Sequence, residues 1–428
     1  MALFNSPRIP PGTMNKWPAP AIFNATSTRV RSLTLINTGG IIHEDPIHAS
    51  PSIVFRASNP DLVRALTVNQ NEGPNGDTLE LQFSSRQDVA GDYLLEIYMP
   101  SNSLQYVHAG DGGSTVVGPN TLIVDSSRDI GIKSSGSSTI FVESDNIGSS
   151  SFMVETVSTG DIQINVNNVL AADVIDLSSQ GSGDILLLAG NTAATSLVTV
   201  AEGSGSVFVG ANPTTTDPAS TSITATNLIT KVFGDGNVVY LNDGTCDSSF
   251  VETSGAGSAF MSSMRCHDTG AVLLEKGNIY ATATDSFSIE DRGTGEVYAL
   301  VDAATNVTGT YYPFPDTVPS PSYTVMVVPD RTPTSIEIKG AAPADLVQYT
   351  RKPQSTGSKA LGSGSIAAIV LALVVLIAFA AVVFVRRRIK ARQPRQAKVD
   401  FTTEVEFVSI ETPAAEVAEA KVLSMQTA

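Results

Sequence analysis

The sequence predicts an all-β protein: a parallel β-solenoid (β-helix-like) ectodomain followed by one transmembrane α-helix. Three observations carry that expectation. A glycine-turn pattern recurs at a step of about 22 residues between positions 126 and 300. The 428 residues include 34 glycines, and only 16% are charged and 6% aromatic, a balance that with abundant Ser, Thr and Val favours strands and turns. Near the C-terminus, residues 366–385 read IAAIVLALVVLIAFAAVVFV, with no charge, proline or glycine.

From the N-terminus, residues 1–28 are expected to be disordered. The stretch MALFNSPRIPPGTMNKWPAP is broken by prolines and has no apolar core of the kind a signal peptide carries. A large domain on the far side of a membrane normally follows such a signal, so the expected start of the protein lies upstream. Residues 29–309 form the expected ectodomain. Within 29–125, RSLTLINTGGIIHED and TLELQFSSRQ look like paired strands with turns. YLLEIYMPSNSLQYVHAGDGGSTVV adds a strand, a proline break, a second strand and a glycine turn.

The repeat follows. It reads SGSSTIFV at 135–142, STGDIQIN at 158–165, GSGDILLL at 181–188 and GSGSVFVG at 203–210, then GDGNVVYL at 234–241, KGNIYATA at 276–283 and GTGEVYAL at 293–300. Aligning Gly136, Gly160, Gly183, Gly205 and Gly236 leaves one long step, filled by NPTTTDPAS, which reads as an inserted loop. Each repeat holds two to three short strands with alternating apolar residues, and only stacking on neighbouring coils buries their inner faces. Glycine supplies a positive-φ corner at little steric cost. A β-sandwich is the competing reading.

Residues 310–364 shift to Pro, Ser and Gly and read as a stalk containing a hairpin, YTVMVVPDRTPTSIEIKG. The transmembrane helix occupies 365–385, because about 20 apolar residues at roughly 1.5 Å each match a hydrocarbon core of about 30 Å. Arg386, Arg387, Arg388, Lys390 and Arg392 follow it at once, with Arg395 and Lys398 close behind. The positive-inside rule then orients 386–428 as a cytosolic tail and 1–365 outside, at the plasma membrane, and the same cations suit anionic headgroups. The sequons Asn24-Ala25-Thr26 and Asn306-Val307-Thr308 fit that orientation as glycosylation sites. Cys246 and Cys266, the only cysteines, are a candidate disulfide there, with two buried free thiols the alternative.

The order of strand, glycine turn and strand at Leu33–Ile42, then Glu96–Val107, then the turns at Gly160, Gly183 and Gly205 resembles the adhesin families that include the bacterial auto-transporter adhesin head, or GIN, domain. The resemblance implies a parallel β-solenoid with a surface or adhesive role, and brings no catalytic residues with it. The C-terminal helix and tail depart from that pattern and suggest a eukaryotic cell-surface setting.

A net charge of −16 and a pI near 4.6 exclude nucleic acid as a partner, since phosphate binding needs a basic stripe. The chemistry-bearing residues are sparse. His43 and His48 flank Glu44 and Asp45 in a sequence that reads as a solvated loop rather than a metal site. His108 with Asp111, and His267 after Cys266, lack partners at catalytic spacing. Asp161, Asp184 and Glu296 recur at equivalent turns, where they are expected to accept backbone hydrogen bonds, with a catalytic or calcium-binding ladder as the alternatives. No cofactor, metal or enzymatic activity is expected. The partners expected are the bilayer and an extracellular glycan or protein ligand. The function expected is that of a membrane-anchored, adhesin-like recognition protein. The rivals are a membrane-tethered carbohydrate-active enzyme on a parallel β-helix and a non-binding structural surface protein.

Overall fold

A computed structural model describes residues 14–212, 222–302 and 305–340. They form a parallel β-solenoid. The strands Thr139–Thr156, Ile162–Ser179 and Ile185–Ala201 stack in parallel register, with Ile162 beside Ile140 and Ile185 beside Ile162. Bulges at Ser144/Asn146 and Val166/Val169 bend each long strand into short segments that face different sides. The coil shortens along the axis. The step is 23 residues from Ile162 to Ile185, 20 from Ser249 to Thr269 and 18 from Thr269 to Phe287. One long step of 31 residues, Leu197 to Leu228, contains the loop outside the described residues.

Inward-facing residues form columns, because a parallel in-register stack places each side chain on its counterpart one coil away. Ile140, Ile162, Ile185, Val207 and Val238 make one such column, all fully buried. A polar stretch interrupts the core where Thr199 and Thr230 hydrogen-bond the Tyr240 hydroxyl at 2.8 and 2.9 Å. Burial holds that phenol at about 12, so it stays a neutral partner of both threonines.

The glycine corners form columns too. Carbonyl oxygens of the preceding coil fill the space a side chain would need. A Cβ on Gly183 would lie 2.1 Å from the Gly160 oxygen, and one on Gly205 would lie 2.1 Å from that of Gly183. Among the glycines aligned from sequence only Gly136 has a positive φ, at 64°. The others are there for close approach, which corrects the expectation of left-handed corners. Gly136 also belongs one column over: Ser134 pairs with Thr156, so Gly136 stands opposite Ser158, and Ser138 is the residue beneath Gly160.

The N-terminal end is capped. The strands Ala21–Asn24 and Ser52–Ala57, the hairpin of Leu66–Asn71 with Asp77–Phe83, and a short helix Pro60–Ala65 cover the first coils. Asn59 caps the helix by accepting the Asp61 amide at 2.9 Å, with proline at the first turn. These antiparallel pairings satisfy the sheet edge that a solenoid otherwise leaves open. The cap corrects the disordered 1–28 for its described part: Met14–Lys16 is a 3-10 turn and Ala21–Asn24 pairs with Ser52–Phe55.

The stalk is corrected as well. Residues 314–340 run back along the outside of the solenoid as a strap. Phe314 and Val318 pack on an outer apolar column of Leu186, Phe208, Val239, Phe260 and Tyr280. The Tyr323 ring meets Phe208 at 5.7 Å. Gln163 stands in for a strand: its amide accepts from Met326 N–H at 2.7 Å and donates to Met326 C=O at 3.1 Å. Only Thr334–Ile338 of the expected hairpin is a strand, and it pairs antiparallel with Val89–Tyr93 instead. Pro329 and Pro333 lack the amides a hairpin ladder would use, and the outer column offers the strap a larger apolar partner.

A buried carboxylate fastens the strap. Glu96 is fully buried and faces Arg56 at 2.5 Å and Arg331, whose Nη2 lies 3.0 Å away and whose Nε also donates. His43 Nε2 stands 3.5 Å off, an ion-pair distance rather than a hydrogen bond. Burial pushes the Glu96 carboxyl up, but His43 and the two guanidinium groups outweigh it and hold the value at about 2.

The expected transmembrane helix, the tail with Arg386, Arg387, Arg388, Lys390 and Arg392, and the end of the stalk lie outside the described residues. Among the described residues no helix is long and apolar enough to cross a membrane.

Two outcomes follow from the corner and the clasp. Gly183→Ala should cost about 1–3 kcal/mol in denaturant unfolding, the range for an overpacked site whose neighbour is backbone. Glu96→Gln removes the buried carboxylate that Arg56 and Arg331 share and should cost about 3–5 kcal/mol, with hydrogen exchange at 334–338 speeding first. In the parent, the unfolded carboxyl titrates near 4.5 and the folded one near 2. The clasp's contribution is therefore complete above pH 4.5 and lost as pH falls through 2.

Candidate functional site

A trough of small side chains runs along one corner of the solenoid. In register, Gly148 and Ser149 stack on Ala171 and Ala172, these on Ala193 and Ala194, and these on Thr224 and Ala225. The sequence makes the trough because methyl groups lie where the flanking positions carry branched side chains: Val169 and Val174 of the same coil are both 38% exposed and stand on either side of Ala171 and Ala172. The resulting groove has a volume of about 420 Å³, and Asp173, Thr195, Thr226 and Asp247 line it together with Ser126. It spans six coils, which at about 4.8 Å per coil gives a length of roughly 24 Å.

One atom in this groove lacks a partner. Ser149 is 2% exposed, and its hydroxyl has no hydrogen-bond partner among the described residues. A buried, unmet hydroxyl costs about 1–3 kcal/mol unless something outside the chain satisfies it. Methyl floor, orphan hydroxyl and exposed carboxylate walls together suit an extended, hydroxyl- or amide-bearing chain. The carboxylates repel polyanions.

The turn acids do other work. Asp161 accepts the Asp184 amide at 2.8 Å, and Asp184 accepts the Ser206 amide at 2.7 Å. The column continues without charge: Ser206 accepts from Asn237, Asn237 from Ser258, Ser258 from Asn278 and Asn278 from Glu296, at 2.9–3.0 Å. Serine and asparagine fill the same place as aspartate, so the position requires an acceptor oxygen rather than an acid or a cation ligand. The expected backbone bonds are present at Asp161 and Asp184, where they join successive coils instead of closing the local turn; Glu296 departs from the expectation, its carboxylate accepting from the Tyr298 hydroxyl.

The histidines separate. His48 Nδ1 bonds Asp45 at 2.7 Å within a tight turn, while His43 stacks on Tyr98 and faces Glu96. His108 Nε2 meets the Ser135 hydroxyl at 3.0 Å, and burial lowers its pKa. His267 does acquire partners: Asp268 at 3.5 Å and Asp285 at 3.9 Å. Sequence spacing missed the second because it lies one coil onward. Cys246 and Cys266 are register partners joined by a disulfide, with Cα atoms 4.4 Å apart. Asn24 and Asn306 are both exposed, in the strands Ala21–Asn24 and Asn306–Thr308. The groove itself was not anticipated; its signal was Gly148, Ala171, Ala172, Ala193 and Ala194 recurring at the repeat step.

The catalytic alternative for the turn acids is tested by substitution. Asp184→Asn keeps the acceptor and should change stability by less than about 0.5 kcal/mol, while Asp184→Ala should cost about 1 kcal/mol in the same denaturant titration. Polysaccharide turnover by the parent that disappears in Asp184→Asn would reverse this assignment.

No protein-family model matches the chain, and no curated protein matches it. Among solved structures, the chain is similar to one named "putative adhesin" from Parabacteroides merdae, at 10% identity and a TM-score of 0.37, over 69% of this chain and 97% of that one. A second of that name, from Bacteroides fragilis, is 16% identical with a TM-score of 0.38, over 56% of this chain and 95% of that one. A "putative lipid binding protein" from Parabacteroides distasonis is 14% identical with a TM-score of 0.32, over 69% and 97%. Likenesses at this level carry no argument about function, and the solenoid assignment rests on the strand register described above. The described residues form an all-β parallel solenoid, similar in part to proteins named as adhesins.

Proposed function

We propose that this protein is a non-enzymatic recognition protein of the cell surface, holding a glycan or a protein segment in the groove over Ala171, Ala172, Ala193 and Ala194. The observation that carries the reading is the orphaned Ser149 hydroxyl at the floor of a long, shallow, small-residue trough. A groove of this shape offers repeated weak contacts at the coil spacing, and affinity grows with the number of coils engaged. Catalysis finds no support in the turn acids: Asp161 and Asp184 each give an oxygen to a backbone amide of the next coil, and Glu296 accepts from the Tyr298 hydroxyl.

Membrane anchoring is part of the proposal. The apolar run 366–385 and the cations Arg386, Arg387, Arg388, Lys390 and Arg392 support a single span with the solenoid outside. The disulfide between Cys246 and Cys266 is in keeping with an oxidising compartment, and both sequon asparagines are open to a glycosyltransferase.

The test uses the full chain displayed on eukaryotic cells and probed with glycan and peptide arrays. Ala172→Trp fills the trough from a half-buried position and should lower binding at least tenfold, with folding checked by circular dichroism. Equal binding by parent and variant, or no saturable binding at all, would sink the groove reading. Absence of surface label, with no glycosidase-sensitive mobility at Asn24 or Asn306, would sink the orientation.

A further inference from the structure

Along the same corner of the solenoid, beyond the groove, three donors converge. His267, Asp268 and Asp285 bring one imidazole nitrogen and two carboxylate oxygens within 4.8 Å of one another. His267 Nδ1 lies 3.5 Å from Asp268 Oδ2 and 3.9 Å from Asp285 Oδ2. Both separations exceed a hydrogen bond. These two separations approach the spacing of donors around one tetrahedral ion, where bonds of about 2.0–2.2 Å set donors roughly 3.3–3.6 Å apart, and the two carboxylate oxygens, within 4.8 Å of each other, close on the ion by side-chain rotation.

A disulfide anchors one side of the cluster. His267 and Asp268 follow Cys266, which is tied to Cys246 on the preceding coil. Asp285 comes from the next coil, beside Ser286, the register partner of Asp268. The Ser286 hydroxyl donates to Asp268 Oδ1 at 2.6 Å, leaving Oδ2 turned to His267. Outer hydrogen bonds of this kind orient carboxylates that ligate metals. The neighbouring cation does not neutralise the pair, since Arg265 reaches toward Asp302 at 3.9 Å.

We propose that His267, Asp268 and Asp285 form a binding site for a divalent transition-metal ion of the zinc class. One imidazole with two carboxylates matches zinc and its neighbours. Calcium and magnesium prefer shells made of oxygen alone. Three protein ligands leave a fourth position open, and side-chain exposures of 62, 52 and 63% place that position in solvent. A donor from outside the chain, a carboxylate or an imidazole, completes the shell. Asp247 occupies the register position of His267 one coil earlier and lines the groove, so the ion sits at the groove's end, about 4.8 Å along the axis from its wall. The site's existence does not depend on the groove reading; only its use in recognition does.

Calorimetric titration of the detergent-solubilised full chain with zinc chloride tests the site. One saturable site is expected, with calcium chloride binding at least tenfold more weakly. His267→Ala and the near-isosteric Asp285→Asn should each weaken zinc binding by about tenfold or more, and Ser286→Ala, which removes only the orienting bond, by about tenfold. His48→Ala should leave the titration unchanged. No saturable zinc binding below 1 mM, or binding untouched by both His267→Ala and Asp285→Asn, would overturn the proposal. Zinc binding that meets these expectations in a chain whose array binding ignores Ala172→Trp would keep the metal site and discard the groove.

Discussion

Coil stacks on coil in this molecule at a distance that leaves no room for a β-carbon at its glycine corners. Gly160, Gly183 and Gly205 each sit over a carbonyl oxygen of the coil before, nearer than any side chain tolerates. Parallel register then follows, because a slip of one residue would bring the β-carbon of a flanking Ser, Thr or Asp onto that oxygen and turn every inward residue outward. The acceptor column from Asp161 to Asn278 locks the same register by a second route, one side-chain bond per coil. Both the trough and the metal cluster depend on this, since each collects residues that are neighbours only when the coils are aligned.

The outer surface is stabilised differently. A solenoid has two faces to every strand, and here one outer column is apolar enough to need its own cover: Leu186, Phe208, Val239, Phe260 and Tyr280, with Leu188 beside it. Stacked rings continue it, Phe260 on Tyr280 at 5.0 Å and Tyr280 on Tyr298 at 4.8 Å. The strap shields this column with few backbone bonds of its own. Its hold comes from Gln163 in the middle and Glu96 at the end, two buried polar groups at register positions otherwise taken by apolar residues.

The repeat, its step and the polar role of the turn acids were legible in the sequence because they are periodic and local. The strap was not. Nothing in YTVMVVPDRTPTSIEIKG names Gln163 or Glu96, which lie 163 and 235 residues away from their strap partners, and proline-rich composition read as a spacer. Nor was the cap, whose strand Ala21–Asn24 follows a proline-rich start, pairs with Ser52–Phe55 and packs Ala21 and Phe23 on the core. The metal cluster shows the limit from another side. His267 looked solitary because metal motifs are sought at helical or turn spacing, whereas a coil of 18 residues delivers Asp285 from the next storey. The corner glycines were found for the wrong reason: their recurrence was plain, but whether they served torsion or contact was visible only in three dimensions.

The strap's path also decides how the body would carry load. Its last described residue, Gly340, bonds Asp88 at 2.8 Å, beside the first coils rather than the last. A pull on residue 341 onward therefore enters at the capped end, through the strand Thr334–Ile338 and the cap strand Val89–Tyr93. The short terminal coils, around Asn306–Thr308 and Tyr312–Pro313, lie off that line of force. Tension would peel the strap from the capped end, its one strand first, while the corner-locked coils beneath it kept their register.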